Sequence, residues 1–335
     1  MYKASGEKIM NVIGIDVSKD KLDCLWLRDS ATGKAKAKVF NNHPEHHQAL
    51  VEWAIKNLDC AITEVLFVME ATGIYHEALA YFLHEAGARV AVVNPARIRD
   101  YAHALGSRTK NDKQDSRVIA HYGATQHPAL WQPEPPAVRS LKALLSRLEA
   151  VEKDRRREEN RLEKAAFSQA PADVIASIRT MLAALTAEKK RLEQLMDDHI
   201  NSDPMLKKDV TLLKSIPGVG DVLSRYMAMV YHSRDFQGAA QMAAYLGVVP
   251  VEYESGSSVR GRPRMSKSGS GVVRAKLYLP AVVAARHNKQ ARELYQRLLK
   301  NGKTKMAAIG AVMRKMVHIC FGVLKHQQAY SPLAA

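Results

Sequence analysis

Asn11–Asp16, NVIGID, and Glu64–Met69, EVLFVM, are two short apolar runs, and each runs straight into an acid, Asp16 in the first and Glu70 after the second. Runs of this length, rich in branched aliphatic residues, read as buried strands. Working outward, Leu22–Leu27 (LDCLWL) and Lys36–Phe40 (KAKVF) follow the first run at hairpin distances, so the first three segments are expected to be antiparallel strands. His43–Asn57 places Leu50, Val51, Ala54 and Ile55 at helical spacing. After the fourth strand, Tyr75–Ala86 reads as a helix stopped by Gly87. Arg89–Val93 (RVAVV) is a further strand closed by Asn94-Pro95, and helices are expected over Ala96–Ala104 and Asp112–Thr125.

Three strands, a helix, then alternating strand and helix is the order of the ribonuclease-H-like α/β fold. Chemistry on such a fold needs carboxylates at strand ends and on a nearby helix. If the first and fourth strands are neighbours, Asp16 and Glu70 emerge at one edge. Asp112 and Asp115 are three apart at a helix start and share a face. Four converging carboxylates repel one another. Divalent cations relieve that repulsion, and Mg²⁺ prefers hard oxygen ligands and can orient a scissile phosphate. Any one of these acids alone reads as a turn former, a cap or a complement to the helix dipole; the four together favour a metal site. Asp20 and Asp23 break the register of the first strand and read as surface or turn acids. His43, His46 and His47 form an HxxHH cluster without Cys or carboxylate ligands at a zinc spacing, and read as helix N-terminal surface.

Pro128 to Pro136, stiffened by Pro133 and Pro135, reads as a linker. Ala137–Phe167 carries the stripe Leu141, Leu144, Leu145, Leu148 and Val151, then turns highly charged over Lys153–Lys164. Ala172–Ile200 carries a second stripe of Ile175, Ile178, Leu182, Leu185, Leu192 and Leu195. Two long amphipathic helices around a break form a helical hairpin or coiled coil, which spaces domains or pairs subunits. Leu212–Ala228, LLKSIPGVGDVLSRYMA, is a helix, a Pro-Gly-x-Gly turn and a second helix. In this helix-hairpin-helix pattern Gly218 and Gly220 let backbone N–H groups approach a phosphate. Phe236–Leu246 is another helix, Gly247–Tyr253 an extended lead, and Val272–Arg286, Glu293–Leu299 and Lys305–Lys325 are helices lined with Arg and Lys. Between them lies Tyr253–Gly269, YESGSSVRGRPRMSKSG, a loop without apolar periodicity. It combines hydroxyls that could attack, glycines, and the cations Arg260, Arg262, Arg264 and Lys267. By composition Ser255, Ser257 and Ser258 are rival nucleophiles.

The 335 residues suffice for two or three domains with real cores, and 47% hydrophobic with 25% charged residues is the balance of a globular protein. The N-terminus has no signal-peptide core and no run approaches a membrane span, so a cytoplasmic protein is expected. Cys24, Cys60 and Cys320 are far apart and odd in number, which argues against a disulfide framework and a zinc site. Net charge is +16, and it is segregated. From Ser255 to Ala335 there are 16 Lys or Arg against the single acid Glu293, while the preceding residues nearly balance. That is the footprint of a polyanion, most often nucleic acid; Arg274 and Lys276 join the loop cations as candidate contacts.

The motifs IGID with Asp16, MEATG with Glu70, NPAR at Asn94–Arg97, KNDKQD with Asp112 and Asp115, SIPGVG at Ser215–Gly220, and ESGSSVRG followed by RMSK together resemble the insertion-sequence 110 family of transposases, also described as DEDD transposases or bridge-RNA-guided recombinases. The resemblance covers nearly the whole chain. It implies an N-terminal domain similar to the Holliday-junction resolvase RuvC over 1–130, with Asp16, Glu70, Asp112 and Asp115 as catalytic, Mg²⁺-holding carboxylates. It implies a helical hairpin over 131–205 and a C-terminal transposase domain over 206–335 in which Ser255 is the nucleophile. It further implies an oligomer, dimers assembling into a tetramer, that works with a structured bridge RNA on donor and target DNA through a 5′-phosphoserine intermediate, with no membrane partner. A site drawing on both ends of the chain fits sharing between subunits. The alternatives are a hydrolytic, metal-dependent junction-resolving nuclease in which water attacks, and a nucleic-acid-binding protein without catalysis.

Overall fold

The structure, a computed structural model, describes residues 11–28, 34–106, 112–252, 254–255, 259–261 and 263–332. Its first compact unit is Met1–Pro133 and its second Glu134–Ala335.

The first unit is built on a five-stranded mixed sheet. Its strands are β1 (Asn11–Val17), β2 (Lys21–Leu27), β3 (Ala35–Asn41), β4 (Val65–Glu70) and β5 (Arg89–Val93), in the order β3-β2-β1-β4-β5. β1 runs antiparallel to β2 and parallel to β4; β5 continues the parallel half. β1 and β4 are apolar on both faces because both faces are covered, as central parallel strands must be. β3 is largely exposed and carries Lys36 and Lys38, which suit an edge.

Alternation along the strands assigns the faces. Ile13, Ile15, Cys24, Val65, Phe67 and Met69 face a layer formed by α1 (Pro44–Leu58) and α2 (Glu77–Glu85). His47 belongs to that layer. It is 1% exposed, at the same spacing as Leu50, Val51 and Ala54, which corrects its reading as helix surface. Val12, Leu66, Val68, Ala91 and Val93 face α3 (Pro95–Ala104) and α4 (Asp112–Gln126), which contribute Ile98, Val118, Ile119 and Tyr122. Leu25 and Leu27 meet Ala120 on the same side.

At Gly14 the backbone of α4 lies against that of β1. A Cβ there would fall on Ala120 N and Ser116 O, well inside van der Waals contact. Further along α4, a Cβ on Gly123 would meet Val68 and Val12. α4 therefore runs with its first turn toward the Asp16 end of β1.

The second unit is mainly helical. α5 (Pro136–Phe167) and α6 (Ala172–Ser202) pair along their length; α7 (Pro204–Lys214), α8 (Asp221–His232), α9 (Ala239–Tyr245), α10 (Gly271–His287), α11 (Lys289–Lys300) and α12 (Lys305–His326) follow. The core joins Val312, Met316 and Cys320 of α12 to Leu277 and Ala281 of α10, Leu223 and Met227 of α8, and the near ends of α5 and α6 through Leu141, Leu145, Met196 and Ile200. Ion pairs such as Arg157–Asp154 at 2.9 Å and Arg191–Glu188 at 2.7 Å decorate the helices, and Phe167 at the turn is 93% exposed. α12 is long and apolar enough to cross a membrane, with a mean hydropathy of 1.5, but its apolar face is this core. Burial pushes the Cys320 thiol up to about 12. Tyr253–Gly269 is not loop throughout: β6 (Pro250–Val251) pairs with β9 (Arg264–Met265), and β7 (Glu254–Ser255) with β8 (Val259–Arg260).

Gly14→Ala is expected to destabilise the first unit by roughly 3 kcal/mol, because backbone rather than a flexible side chain must move. Urea unfolding of the variant beside the wild type measures it; a change within error would show that α4 relaxes freely.

Candidate active site

The sheet register brings the strand-end acids together. On β1 and β4, Val12 pairs with Leu66 and Gly14 with Val68, all on the α4 side. The next step along both strands sets Asp16 beside Glu70. Both are half-buried. On the other flank of β1, Asp23 pairs directly with Asp16. Paired residues of antiparallel strands share a face, so Asp23 lies on the α4 side with Leu25 and Leu27. Along the sequence Asp23 breaks the register of the first strand; the structure places it in β2, opposite Asp16. Glu70, Asp16 and Asp23 thus stand on three adjacent strands at one level. Asp115 sits in the first turn of α4, one residue before Ser116, whose carbonyl lies against Gly14. Asp112 opens the same helix, and its side chain lies outside the described residues.

Asp16, Asp23, Glu70 and Asp115 offer carboxylate oxygens, the chemistry a hard divalent cation takes. Among the described residues, no three side chains of His, Cys, Asp or Glu are grouped so as to hold a metal ion. What the fold supplies is the shared edge and the shared face.

In the second unit the candidate residues divide. Ser255 and Arg260 belong to the β7–β8 ladder, with side chains outside the described residues, as are Ser257, Ser258 and Arg262 altogether. Arg264 and Lys267 are exposed. Arg274 is committed to the scaffold: its Nη1 donates to Gly269 O at 2.6 Å and Leu246 O at 3.2 Å, fastening the end of the loop to the end of α9. Lys267 N donates to Gly247 O, and Ser266 N to Val249 O, at the same junction. Lys276 is likewise not a free surface cation. Its Nζ lies 2.6 Å from Glu149 and 3.1 Å from Glu152 of α5, and Lys189 of α6 adds a contact to Glu152. Gly218 has φ +100°, and a Cβ on it would press on Pro280 O and Ala284 of α10, so it serves a close approach between helices. Gly220 is open and caps α8, where Asp221 pairs with Lys214 at 2.6 Å.

Two family models match. One, of the DEDD transposases of the IS110 type, covers residues 13–168; the other, of the IS116/IS110/IS902 transposases, covers 210–296. The pilin gene-inverting protein of Moraxella bovis is 31% identical over 321 residues, 95% of this chain and 97% of its own. The chain belongs to the IS110 family of transposases. The transposase for insertion sequence element IS1111A of Coxiella burnetii is 22% identical over 96% of this chain and 92% of its own. This IS110-family protein is accordingly an enzyme of DNA transposition and recombination, with a DEDD region that implies use of a divalent metal. The first match holds Asp16, Glu70, Asp112 and Asp115, and the second holds Ser255 and the loop cations.

Burial alone would raise the pKa of Glu152, but the hydrogen bond and charge of Lys276, helped by Lys189, outweigh it and hold the carboxyl below its ordinary value. A carboxylate depressed in the folded state stabilises it above the ordinary range, and that contribution disappears as pH falls through the folded value. Lys276→Ala in this transposase is therefore expected to lose roughly 2 kcal/mol of stability at neutral pH. The gap from wild type should close as the pH is taken below the ordinary glutamate value of 4.5. Chemical denaturation across pH checks both; an equal gap at all pH values would remove the ion pairs as its cause.

Proposed function

We propose that the first unit is a ribonuclease-H-like, RuvC-like nuclease domain and that this transposase moves its insertion sequence by RNA-guided exchange of DNA strands through a covalent serine link. The observation that carries the reading is the register that sets Asp16 beside Glu70, with the first turn of α4 on the same edge. Asp16, Glu70, Asp112 and Asp115 would hold Mg²⁺, which when bound supplies Lewis-acid polarisation of a phosphate. Ser255 attacks the scissile phosphorus through Oγ and gives up its proton. The P–O3′ bond breaks, the 3′ oxygen leaves as a hydroxyl on taking up a proton, and the 5′ phosphate stays on the serine. Attack by a 3′ hydroxyl on that phosphoserine restores a phosphodiester and frees Ser255. The same kinds of bond are made and broken, so rejoining consumes no nucleotide.

Arg260, Arg262, Arg264 and Lys267 neutralise phosphate charge near the serine, and the α7–α8 turn with Gly220 offers a helix N-terminus to a further phosphate. Residues 131–205 act as a helical spacer that pairs subunits, and 206–335 as the part that carries the nucleophile. Donor and target DNA are chosen by pairing with a bridge RNA rather than by side chains, in the cytoplasm where both are present. The segregated positive charge of the last quarter of the chain supports a nucleic-acid partner of this kind.

The deciding experiment uses protein co-expressed with its flanking DNA, so that partner RNA copurifies. Labelled DNA spanning the element junction and Mg²⁺ are added, and a denaturing gel is read for DNA attached to protein. A covalent band in wild type, absent in Ser255→Ala and reduced roughly a hundredfold or more in Glu70→Gln, is the expected result. Cleaved DNA with no attachment, unchanged by Ser255→Ala, would replace the serine mechanism with hydrolysis by water.

A further inference from the structure

Asn42 ties together the two segments that leave the acid-bearing strands. It is the first residue beyond β3 and is half-buried. Its backbone N–H donates to Asp20 O at 3.0 Å. Its side-chain Nδ2 donates to Ser18 O at 2.8 Å and to Tyr75 O at 3.0 Å. Ser18 lies two residues past Asp16, in the β1–β2 turn; Tyr75 lies five residues past Glu70, between β4 and α2. An amide nitrogen has two protons, and here both are used. Because both acceptors are carbonyl oxygens, Nδ2 must face the two segments. Oδ1 is then left toward Nε2 of buried His47, 3.5 Å away. Burial, and after it the charges of His43 and His46, lower the pKa of His47; because the amide oxygen can only accept, Nε2 is the donor in this contact.

Neither segment has slack. The β1–β2 turn is closed by Ser18 N to Lys21 O at 2.9 Å, with the Ser18 hydroxyl on the same carbonyl. The segment after β4 is tied to its own start and to the end of β5: Thr72 N donates to Glu70 O and Ala71 N to Val93 O, both at 2.9 Å, and Tyr75 N donates to Thr72 O at 3.2 Å. Movement at Ser18 or Tyr75 is therefore passed along a short, hydrogen-bonded path to Asp16 or Glu70.

We propose that Asn42 is a positioning residue of the transposase. By holding Ser18 O and Tyr75 O on one amide group it fixes the relation of Asp16 to Glu70 at the sheet edge, and His47 fixes the amide. The proposal rests on the reading of those two acids as catalytic carboxylates. It needs no contact between Asn42 and the DNA, and it gives the HxxHH segment a role that is neither metal binding nor solvation.

The test compares full-length wild type, Asn42→Asp, Asn42→Ala and Glu70→Gln. Asn42→Asp keeps the shape of the side chain and removes both donors. The rate of junction-DNA cleavage at saturating DNA should fall roughly tenfold to a hundredfold in both Asn42 variants, with KM for DNA unchanged. Binding of Mn²⁺ alone, read by electron paramagnetic resonance of the free ion, should weaken about tenfold in both and vanish in Glu70→Gln. Hydrogen exchange should quicken together over residues 18–21 and 71–77. Asn42→Asp that cleaves and binds Mn²⁺ as wild type does, beside an inactive Glu70→Gln, would overturn the role of Asn42 and leave the carboxylates standing. Glu70→Gln that keeps both properties would overturn the carboxylate reading itself. Should the Asn42 variants fail to fold, exchange in the wild type decides: one shared opening free energy for the two segments is expected, and two independent ones sink the proposal.

Discussion

The close approach of α4 to β1 at Gly14 is the constraint on which the first unit depends. No side chain separates the two backbones there, so helix and strand approach more closely than any residue with a Cβ would allow. The face they share is set by Val12, Leu66 and Val68 on the sheet and by Val118, Ile119 and Tyr122 on the helix. Apolar burial on that face fixes which way α4 points, and the glycine fixes how near it comes. Both are needed to bring the first turn of the helix to the end of β1. Catalytic geometry is unforgiving on this scale, since a displacement of about 1 Å can cost roughly a hundredfold in rate. The packing of a core thus becomes a statement about chemistry at the sheet edge.

That edge carries an electrostatic cost. Neighbouring strands lie about 5 Å apart, and two unpaired carboxylates at such a separation would repel by roughly 3 kcal/mol at an effective dielectric constant near 20. Asp23, Asp16 and Glu70 occupy three strands in a row. Positive charge among them, from a cation or from a side chain, offsets the repulsion. The hydrogen bonds of Asn42 act on the same edge by a different route, through the backbone segments that follow the acids.

Much of this was legible in the sequence, and the misses have physical causes. Strands covered on both faces announce themselves as unbroken apolar runs, so β1 and β4, and the acids at their ends, are legible directly. Asp23 was missed because its position was judged along one strand. The two-residue loop Lys19-Asp20, closed by Ser18 and Lys21, fixes the hairpin register and places Asp23 opposite Asp16. His47 was grouped with its histidine neighbours, although its spacing to Leu50, Val51 and Ala54 already put it on the buried face. The two small ladders in the basic stretch had no apolar alternation to reveal them. Lys276 could not have been read correctly by any local pattern, because its partners Glu149 and Glu152 lie more than a hundred residues earlier.

The fate of Arg274 and Lys276 also bears on how the charge of the second unit should be understood. Each is built into the scaffold, yet they differ in the field they project. Lys276 is enclosed by the carboxylates of Glu149 and Glu152, so its charge is cancelled locally. Arg274 donates to two neutral carbonyl oxygens, which take up its protons without cancelling its charge. Its guanidinium therefore still contributes positive potential at the base of the loop, beside exposed Arg264 and Lys267, while also fastening that loop in place. Counting cations along the sequence treats all four alike. The structure separates one that only stabilises, two that are exposed to solvent, and Arg274, which holds the loop and adds positive potential at its base.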